Sequence, residues 1–232
     1  MGRIGLAVAG LGALAALTAC GGNDFADESA DEIVKAAKAD MGDLKAVKVS
    51  GQVTSSGQEI SLDLQSSSDG DCTGSIGIGE GSADLLGVGG SMWMRPDESF
   101  WRTFGGDSAD QMLAIVGDKW VVVPDDEESF HGFCDVDDLL DQLLKDEGDG
   151  STYSKNGTDS VDGDEVVKID NEDPDDGTST GYVLVEDPHY LVQVEKTDGD
   201  DTGSVTFSAF DEEFEVSEPA EDEVVDLDSL AG

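Results

Sequence analysis

Few residues of this chain belong to the types that carry out catalysis at neutral pH. The sequence has two histidines, His131 and His189, and neither stands in a recognisable frame with a serine or cysteine nucleophile. Residues Gly177 to Gly181 read Gly-Thr-Ser-Thr-Gly, but a nucleophile elbow needs a strand before the motif and a helix after it. Here an acidic turn precedes the motif and a strand-like run follows it. We therefore expect no catalytic residue and no enzymatic activity.

Patterns that hold a metal ion or a nucleotide are incomplete in this sequence. His131 stands three residues before Cys134, but two ligands do not close a zinc site. The segment 198–203 resembles the start of a calcium loop, yet Ala209 occupies the twelfth position, where a carboxylate is needed. Residues 77–81 lack the spacing of a dinucleotide-binding loop. We expect no metal and no cofactor, with weak binding of cations at the surface left open.

The N-terminus has the parts of a secretory signal. Arg3 is followed by an apolar stretch from Ile4 to Leu17, which is too short to span a bilayer comfortably as a permanent helix. The stretch ends in Leu17-Thr18-Ala19-Cys20, which resembles the bacterial lipobox. That resemblance implies that residues 1–19 are removed as a lipoprotein signal peptide and that the Cys20 sulfur is lipidated. The alternative is an ordinary secretory signal in which the cysteine occurs by chance.

Lipidation at Cys20 predicts where the protein is located. Two or three acyl chains inserted together hold a protein durably at a membrane, which a single chain does not. Residues 20–28 then form the lipidated N-terminus and a flexible tether. The expected location is the outer face of the cytoplasmic membrane, where the protein is exported and lipid-anchored.

The two remaining cysteines, Cys72 and Cys134, are an even pair in a chain with an export signal. Because exported proteins enter an oxidising environment, we expect a disulfide between them. Two reduced buried thiols or a metal pair remain the alternatives.

The charge of the chain is strongly acidic, with 54 Asp and Glu against 12 Lys and Arg and a formal net charge of -42. Such a chain repels nucleic acid, so nucleic acid is excluded as a partner. A hydrophobic content of 38% with recurrent apolar alternation favours a folded chain over a disordered one. The carboxylates are then a solvated shell that maintains solubility, or alternatively a surface that docks a basic partner or cell-wall cations.

Hydrophobic periodicity predicts a helix followed by an antiparallel meander. Ser29 to Glu32 has the spacing of a capping box, and Ile33, Ala37 and Met41 follow on one helical face. Period-two alternation then predicts strands, the first two joined across Ser55-Ser56-Gly57 as a hairpin. These strands lie at residues 47–53, 60–64, 72–78, 84–88 and 91–95.

The middle of the chain changes to helical spacing before strands return. Capping residues at Asp97 and at Asp107-Ser108 introduce two short helices, and residues 119–124 form an apolar strand. An acidic loop at 125–129 leads to a helix that begins at Asp135 and has the strongest apolar stripe in the chain. A second meander follows, with strands expected at 166–169, 182–185, 190–194 and 205–207.

No linker divides this pattern, which predicts one α+β domain over residues 29–227. The apolar run at 224–227 is expected to dock on the domain, and residues 228–232 are expected to be a frayed tail.

The order of these features resembles the actinobacterial lipoproteins of the LppX/LprG type, which are similar in fold to the LolA and LolB carriers. The resemblance covers residues 29–227 and is carried by the lipobox, the opening helix before Val47, the run 117–124, the leucine-rich helix at 139–144 and the run 205–210. It implies a strongly curved antiparallel sheet, a half-barrel, whose concave face is covered by helices. It also implies a hydrophobic cavity between sheet and helices that holds acyl chains of lipids or glycolipids.

The apolar residues of the central helices are our candidates for the wall of that cavity. They are Phe100, Trp101, Phe104, Leu113, Val116, Leu139, Leu140, Leu143 and Leu144. The sequence thus predicts a membrane-anchored, non-catalytic protein that binds or carries an acyl lipid, and it does not identify a protein partner. The alternative is that these residues form an ordinary filled core, in an interaction or regulatory lipoprotein of the same fold that has no ligand. A cavity of several hundred cubic ångströms would favour the first hypothesis.

Overall fold

A single curled sheet runs through almost the whole of the computed structural model, which describes residues 24–144, 151–174, 177–199 and 201–227. Its strands are β1 (Ala46–Ser55), β2 (Gln58–Ser67), β3 (Cys72–Ile78), β4 (Gly81–Val88), β5 (Ser91–Pro96), β6 (Trp120–Val122), β7 (Thr152–Val161), β8 (Asp164–Asp173), β9 (Gly177–Leu184), β10 (Leu191–Lys196), β11 (Thr202–Ser208) and β12 (Val224–Val225). They are arranged in the order β12-β6-β5-β4-β3-β2-β1-β11-β10-β9-β8-β7, so the sheet is open, with β12 and β7 at its edges.

Strand β1 joins the two meanders that the sequence predicts. It pairs antiparallel with β2 on one side and with β11 on the other. Val49 lies opposite Leu64 in β2 and opposite Phe207 in β11, and all three side chains are buried. We call the face that carries these three residues the inner face of the sheet. The expected half-barrel of the α+β class is confirmed.

Two glycines let neighbouring strands approach each other closely. Gly74 in β3 and Gly203 in β11 have φ angles of 150° and 153°, which residues with a Cβ rarely adopt. A Cβ at Gly74 would overlap the backbone carbonyl of Asp63, and one at Gly203 would overlap that of Gln52. The space beside these glycines is therefore filled by the backbone of the neighbouring strand.

The helices are α1 (Ala30–Gly42), α2 (Glu98–Phe104), α3 (Ala109–Val116), α4 (Glu128–His131) and α5 (Val136–Leu143). Helix α1 begins at the capping box predicted from Ser29 and Glu32, and it buries Ile33, Ala37 and Met41 as expected. The expected acidic loop at 125–129 is shorter than predicted, because α4 begins at Glu128. In the residues that the structure describes, no helix is long and apolar enough to cross a membrane.

Two clusters of buried side chains lie between the helices and the inner face. The larger cluster packs Leu139 of α5 and Phe100 of α2 against the first meander, including Leu64 and Leu85. The smaller cluster packs α1 against β8 and β9, with Ile33, Val167 and Val183 among its members. Helices α2 and α5 therefore cover the inner face of the first meander, and α1 covers the inner face of the second.

The C-terminal segment docks on the sheet, as the apolar run at 224–227 predicts. Val224 pairs with Trp120 and Val225 with Val121, so β12 extends the sheet beyond β6. This pair is parallel, whereas the sequence led us to expect an antiparallel sheet throughout. The difference arises because β12 is reached by a long connection from β11 rather than by a tight turn.

The segments predicted at the two ends of the chain lie partly or wholly outside the described residues. These are the signal peptide at 1–19, the lipidation site Cys20 with residues 21–23 of the tether, and the tail at 228–232. Their assignment stays a prediction, as do the boundaries of the domain at 29 and 227.

Candidate functional site

An apolar cavity of about 150 Å³ lies between α1 and the inner face of the second meander. Four strands, β7 to β10, supply one wall, with β7 contributing Tyr153. Helix α1 supplies the opposite wall, and Leu144, just after α5, lies at one end. The lining residues are Val34, Ala37, Lys38, Met41, Leu144, Tyr153, Ile169, Asn171, Ser179, Gly181, Val183, Leu191 and Val194.

Gly181 keeps this part of the strand wall open. It lies opposite Ile169 in β8 and Val194 in β10, at the centre of the lining strands. A Cβ at this position would meet Cδ1 of Leu191 at 3.2 Å, so a larger residue would push into the side chains that line the cavity.

Helix α1 is capped at its start and is hydrogen-bonded near its end to the connection between β9 and β10. At its start, the Ser29 side chain accepts a hydrogen bond from the Glu32 amide, and the Glu32 carboxylate accepts one from the Ser29 hydroxyl at 2.6 Å. The hydrogen bonds from Ser29 lower the pKa of Glu32 below its usual value of 4.5. Near its end, Asp40 accepts a hydrogen bond from the backbone N–H of His189 at 2.7 Å. One wall of the cavity is therefore a capped helix that is attached near its end to the connection between β9 and β10.

The chain that enters α1 packs beside the same strands. Phe25 stacks on the ring of His189 with a centroid separation of 3.5 Å, and Nζ of Lys155 in β7 donates a hydrogen bond to the carbonyl of Ala26 at 3.0 Å. The N-terminal segment is thus attached to the edge of the sheet that also forms the cavity wall.

Helix α5 begins with an N-cap, and two contacts join the residues just before it to the sheet. The disulfide between Cys72 and Cys134 links the start of β3 to the segment just before α5. The buried Ser66 hydroxyl donates a hydrogen bond to the carbonyl of Phe133 at 2.6 Å. Asp135 caps the helix by accepting hydrogen bonds from the amides of Asp137 and Asp138. The other end of α5 has no disulfide, and Leu143 there is 37% exposed.

A second, wider and more polar cavity adjoins the first. Its volume is about 690 Å³, and it lies between the end of α1 and α5. It shares Lys38, Met41 and Leu144 with the apolar cavity. Its other lining residues are Gly42, Asp137, Leu140 and Asp141. The two cavities together make an apolar recess with a charged mouth.

The candidate residues chosen from the sequence are distributed over the larger core and the surface. Leu144 lines the apolar cavity, and Leu140 lines its mouth. Phe100, Val116 and Leu139 are buried. Trp101 and Leu113 are half-buried on α2 and α3, whereas Phe104 and Leu143 are exposed at 52% and 37%. Their contact with a ligand stays a prediction.

Sequence reasoning missed the residues of α1 and of the second meander that surround the apolar cavity. Ala37 and Met41 belong to the helical face that the sequence identified, and Val183 and Val194 belong to predicted strands. The spacing of these residues predicts that their side chains are buried. Periodicity does not show whether α1 and the strands β8 to β10 pack tightly or leave a space between them.

The motifs set aside at the start have structural explanations. Gly177 to Gly181 lies within β9, where Ser179 faces the apolar cavity and Gly181 pairs with both neighbouring strands. The His131 ring contacts the carbonyl of Pro124 at 3.1 Å, and the His189 ring contacts that of Leu184 at 3.2 Å. Over the described ranges, no group of three or more His, Cys, Asp or Glu side chains is placed to hold a metal ion.

Comparison with known proteins identifies the fold. No protein-family model and no curated protein sequence matches this chain. Among solved structures, LprF from Mycobacterium bovis is similar with a TM-score of 0.56 and 16% identity, over 82% of this chain and 97% of that one. The lipoprotein LppX from Mycobacterium tuberculosis is also similar, with a TM-score of 0.43 and 14% identity, over 80% of this chain and 97% of that one. The expected likeness is thus confirmed at the level of the fold, and this chain has the LolA-like half-barrel fold of the mycobacterial lipoprotein LprF.

Proposed function

We propose that this protein is an exported, membrane-anchored lipoprotein that binds an acyl chain of a lipid or glycolipid without catalysing a reaction. The anchor is Cys20, which holds the protein at the outer face of the cytoplasmic membrane. The ligand site is the apolar cavity between α1 and strands β8 to β10.

The observation that carries this proposal is an apolar recess on the inner face of an open sheet. Its walls are mostly aliphatic, and it adjoins the charged mouth, with which it shares Lys38, Met41 and Leu144. Burial of apolar surface supplies about 25 cal/mol for each Å² removed from water, which is the free energy that favours an acyl chain in such a recess. The fold shared with LprF supports the same proposal.

The volume of the cavity sets a condition on how a lipid enters. A space of about 150 Å³ holds a group of roughly the size of benzene. A longer acyl chain therefore requires the walls to separate, and the end of α5 is the wall that can move. It is the end opposite the disulfide, and it carries the exposed Leu143 and the lining residue Leu144.

The test fills the recess without changing the outer face of the sheet. Ser179→Trp places an indole in the apolar cavity, and Thr178→Trp places one on the opposite face of the same strand as the matched control. Each variant is produced by export as the chain from Gly21 onwards, which contains every described strand and helix. Native mass spectrometry then measures bound lipid after incubation with membrane vesicles.

We expect wild type and Thr178→Trp to carry a mass excess that extracts as acyl lipid, and Ser179→Trp to lack it. Loss of loading in both variants, with unchanged thermal midpoints, would contradict the position of the site. A wild-type chain that stays without lipid after incubation with vesicles would contradict the function itself.

A second function is favoured by one observation, which is that the apolar cavity is smaller than ordinary ligand sites. Such sites measure roughly 300–1,000 Å³, against about 150 Å³ here. An interaction or regulatory lipoprotein of the same fold, with a filled core and no ligand, accounts for that volume directly. The mass measurement separates the two functions, because the second one predicts a bare wild-type chain under every loading condition.

A further inference from the structure

The segment that leads into α1 is fixed to the second meander at two points. Residues Asp24–Asp27 form a short 3-10 helix, which we call the entry turn. Its Phe25 is buried and stacks on the ring of His189, in the connection between β9 and β10, with the ring centroids 3.5 Å apart. Nζ of Lys155 in β7 donates a hydrogen bond to the carbonyl of Ala26 at 3.0 Å. The entry turn therefore has a defined position on the sheet.

These two contacts place the entry turn beside the cavity. Tyr153 lines the apolar cavity and precedes Lys155 by two residues on β7, so the two side chains lie on the same side of that strand. The backbone N–H of His189 donates a hydrogen bond to Asp40 at 2.7 Å, and Met41, which follows Asp40, lines both the apolar cavity and its polar mouth. The entry turn therefore lies close to the end of α1 that borders the mouth.

The proposed anchor is only a few residues away from the entry turn. Cys20 precedes Asp24 by four residues. An extended chain spans at most about 3.3–3.6 Å per residue, so the entry turn lies within about 14 Å of the lipidated cysteine in any conformation of the tether. A bilayer that holds the acyl chains of Cys20 is therefore kept close to the cavity as well.

The exposed apolar side chains of α2 and α3 lie on a remote part of the sheet. Phe104 and Ile115 are exposed at 52% and 51%. Helix α2 packs against β4, where the backbone of Phe100 lies so close to Gly81 that a Cβ there would overlap it. In the strand order, β4 lies eight positions from β7, which is roughly 38 Å along the curled sheet at a spacing of about 4.8 Å. A short tether that begins beside β7 therefore favours an orientation in which this surface faces away from the bilayer.

Electrostatic attraction to the membrane does not favour another orientation. The formal net charge of the chain is -42, and a strongly acidic protein is repelled by anionic lipid. At the entry turn itself, Asp27 and the following Glu28 are exposed. The length of the tether and the position of its attachment therefore determine which side of the domain faces the membrane.

We propose, on the basis of the lipid anchor and the acyl-binding cavity proposed above, that the entry turn, the start of β7 and the connection between β9 and β10 face the bilayer that holds Cys20. Acyl chains then pass directly between this bilayer and the apolar cavity while the protein stays anchored. The partner of this surface is thus the membrane itself, and the site is loaded from the lipids that surround the anchor.

The experiment couples the chain to vesicles chemically, so that it does not depend on lipidation in a cell. Cys72 and Cys134 form the disulfide, which leaves Cys20 as the free thiol among the three cysteines. The oxidised chain from Cys20 onwards, which contains every described strand and helix, is joined through this thiol to a maleimide lipid in phosphatidylcholine vesicles. One set of vesicles contains a lipid with a photoreactive head group, and a second set contains a lipid with a photoreactive group in its acyl chain.

We expect the head-group probe to cross-link to the entry turn and to residues 186–190, and not to α2 or α3. We expect the acyl probe to cross-link to cavity residues such as Tyr153 and Val183. Its yield should be at least about tenfold above that of the unanchored chain from Gly21 onwards, because the anchor raises the effective concentration of bilayer lipid at the site. Peptide mass spectrometry locates the cross-links.

Variants of the tether and of the cavity test the two parts of the proposal. An insertion of about 30 Gly and Ser residues after Gly22 gives a root-mean-square tether length of roughly 30 Å, so the head-group cross-links should spread to α2 and α3. The same insertion after Gly232 is the matched control, because it leaves the distance from Cys20 to the entry turn unchanged. Ser179→Trp should abolish the acyl cross-links and leave the head-group pattern unchanged. Thermal midpoints within a few degrees of wild type verify that each variant is folded.

The outcomes separate the orientation of the domain from the function on which it rests. Head-group cross-links concentrated on α2 and α3 in the unmodified chain, or a pattern that the insertion after Gly22 does not change, overturn the orientation. Acyl cross-links of equal yield in the anchored and unanchored chains overturn direct loading from the bilayer and leave the acyl-binding function intact. Absence of acyl cross-links in both chains overturns the acyl-binding function, while the head-group pattern still tests the orientation.

Discussion

Gly87 in β4 has no room for a side chain, because the disulfide lies directly against it. A Cβ at this position would stand 2.7 Å from Sγ of Cys134 and 3.0 Å from Sγ of Cys72. The glycine and the two cysteines are therefore one packing unit, although they are far apart in the sequence.

We expect Gly87→Ala to lower the free energy of unfolding by about 1–3 kcal/mol, which is typical of overpacking at a rigid site. The measurement is urea denaturation, with Gly42→Ala as the control, since a Cβ at Gly42 meets nothing within 4 Å. The cost should decrease in a chain in which both cysteines are replaced by alanine, because the two Sγ atoms are then absent and only the Cβ of residue 134, at 3.0 Å, remains in close contact. An equal cost in both backgrounds would show that the disulfide is not what excludes the side chain.

Asp97 is a second residue whose role is local and can be measured. Burial acts to raise its pKa, but hydrogen bonds from the Phe100 amide at 2.7 Å and from the Ser82 hydroxyl at 2.8 Å outweigh burial, so the pKa lies below its usual value of 3.8. A carboxylate whose pKa is lowered by folding contributes stability above its unfolded pKa, and that contribution is lost as the pH falls through the folded pKa.

Asp97→Ala should therefore destabilise the protein by about 1–2 kcal/mol at pH 7, as expected for loss of a helix N-cap. The difference from wild type should shrink as denaturation is repeated at pH values that fall progressively below the usual aspartate pKa of 3.8, because wild-type Asp97 becomes protonated as the pH falls through its lowered pKa. A difference that stays constant from pH 7 to acidic pH would assign the effect to packing rather than to the carboxylate.

At the scale of elements, α5 is cross-linked to the sheet near its start, whereas its other end carries no disulfide. The disulfide closes a loop with a sequence separation of 62 between β3 and the start of α5. Pairing of Ser67 with Asp135 adds a backbone contact beside it. This anchoring explains how α5 can border the mouth of the cavity without leaving the sheet.

Replacement of Cys72 and Cys134 by alanine should lower the free energy of unfolding by about 4 kcal/mol, the chain-entropy value for a loop of this length. Urea denaturation of the oxidised wild type, the reduced wild type and the double variant measures the effect. The reduced wild type should behave like the variant. A decrease below about 1 kcal/mol would indicate that the remaining contacts of α5 are sufficient to hold it.

For the whole molecule, the dominant electrostatic feature is self-repulsion. The formal net charge of -42 is opposed by few ion pairs among the described residues, and those such as Arg95 with Asp84 and Arg102 with Glu98 are exposed at the surface. Exposed pairs contribute about 0–1 kcal/mol each, so they do not offset the repulsion between the many carboxylates.

Added salt should therefore stabilise the protein. Raising NaCl from about 0.02 to 0.2 M shortens the screening length from roughly 20 to 7 Å. We expect the free energy of unfolding to rise by about 1 kcal/mol, which corresponds to an increase of about 2–4 °C in Tm for a chain of this size. Calorimetry over this range measures the effect, and a Tm that is flat or falls with salt would contradict the role assigned to the acidic surface.

The features that depend on near neighbours in the chain were predictable from the sequence. The capping box of Ser29 and Glu32, the hairpin at Ser56 and Gly57 and the N-cap at Asp135 follow from residue type and spacing, since each is stabilised within a few residues. The pairing of Cys72 with Cys134 followed from the number of cysteines and the export signal.

The location of the cavity was decided by the tertiary structure. An apolar stripe such as Leu139 and Leu140 indicates that one face of a helix is buried. The same stripe is expected whether that face packs against other side chains or borders a cavity. The stripe of α5 is mostly filled core, and the recess lies instead where α1 spans β8 to β10 and Gly181 leaves the strands without a side chain. Its position depends on the pairing of β11 with β1, which brings residues from the two halves of the chain into one sheet, and such long-range pairing is not encoded in local periodicity.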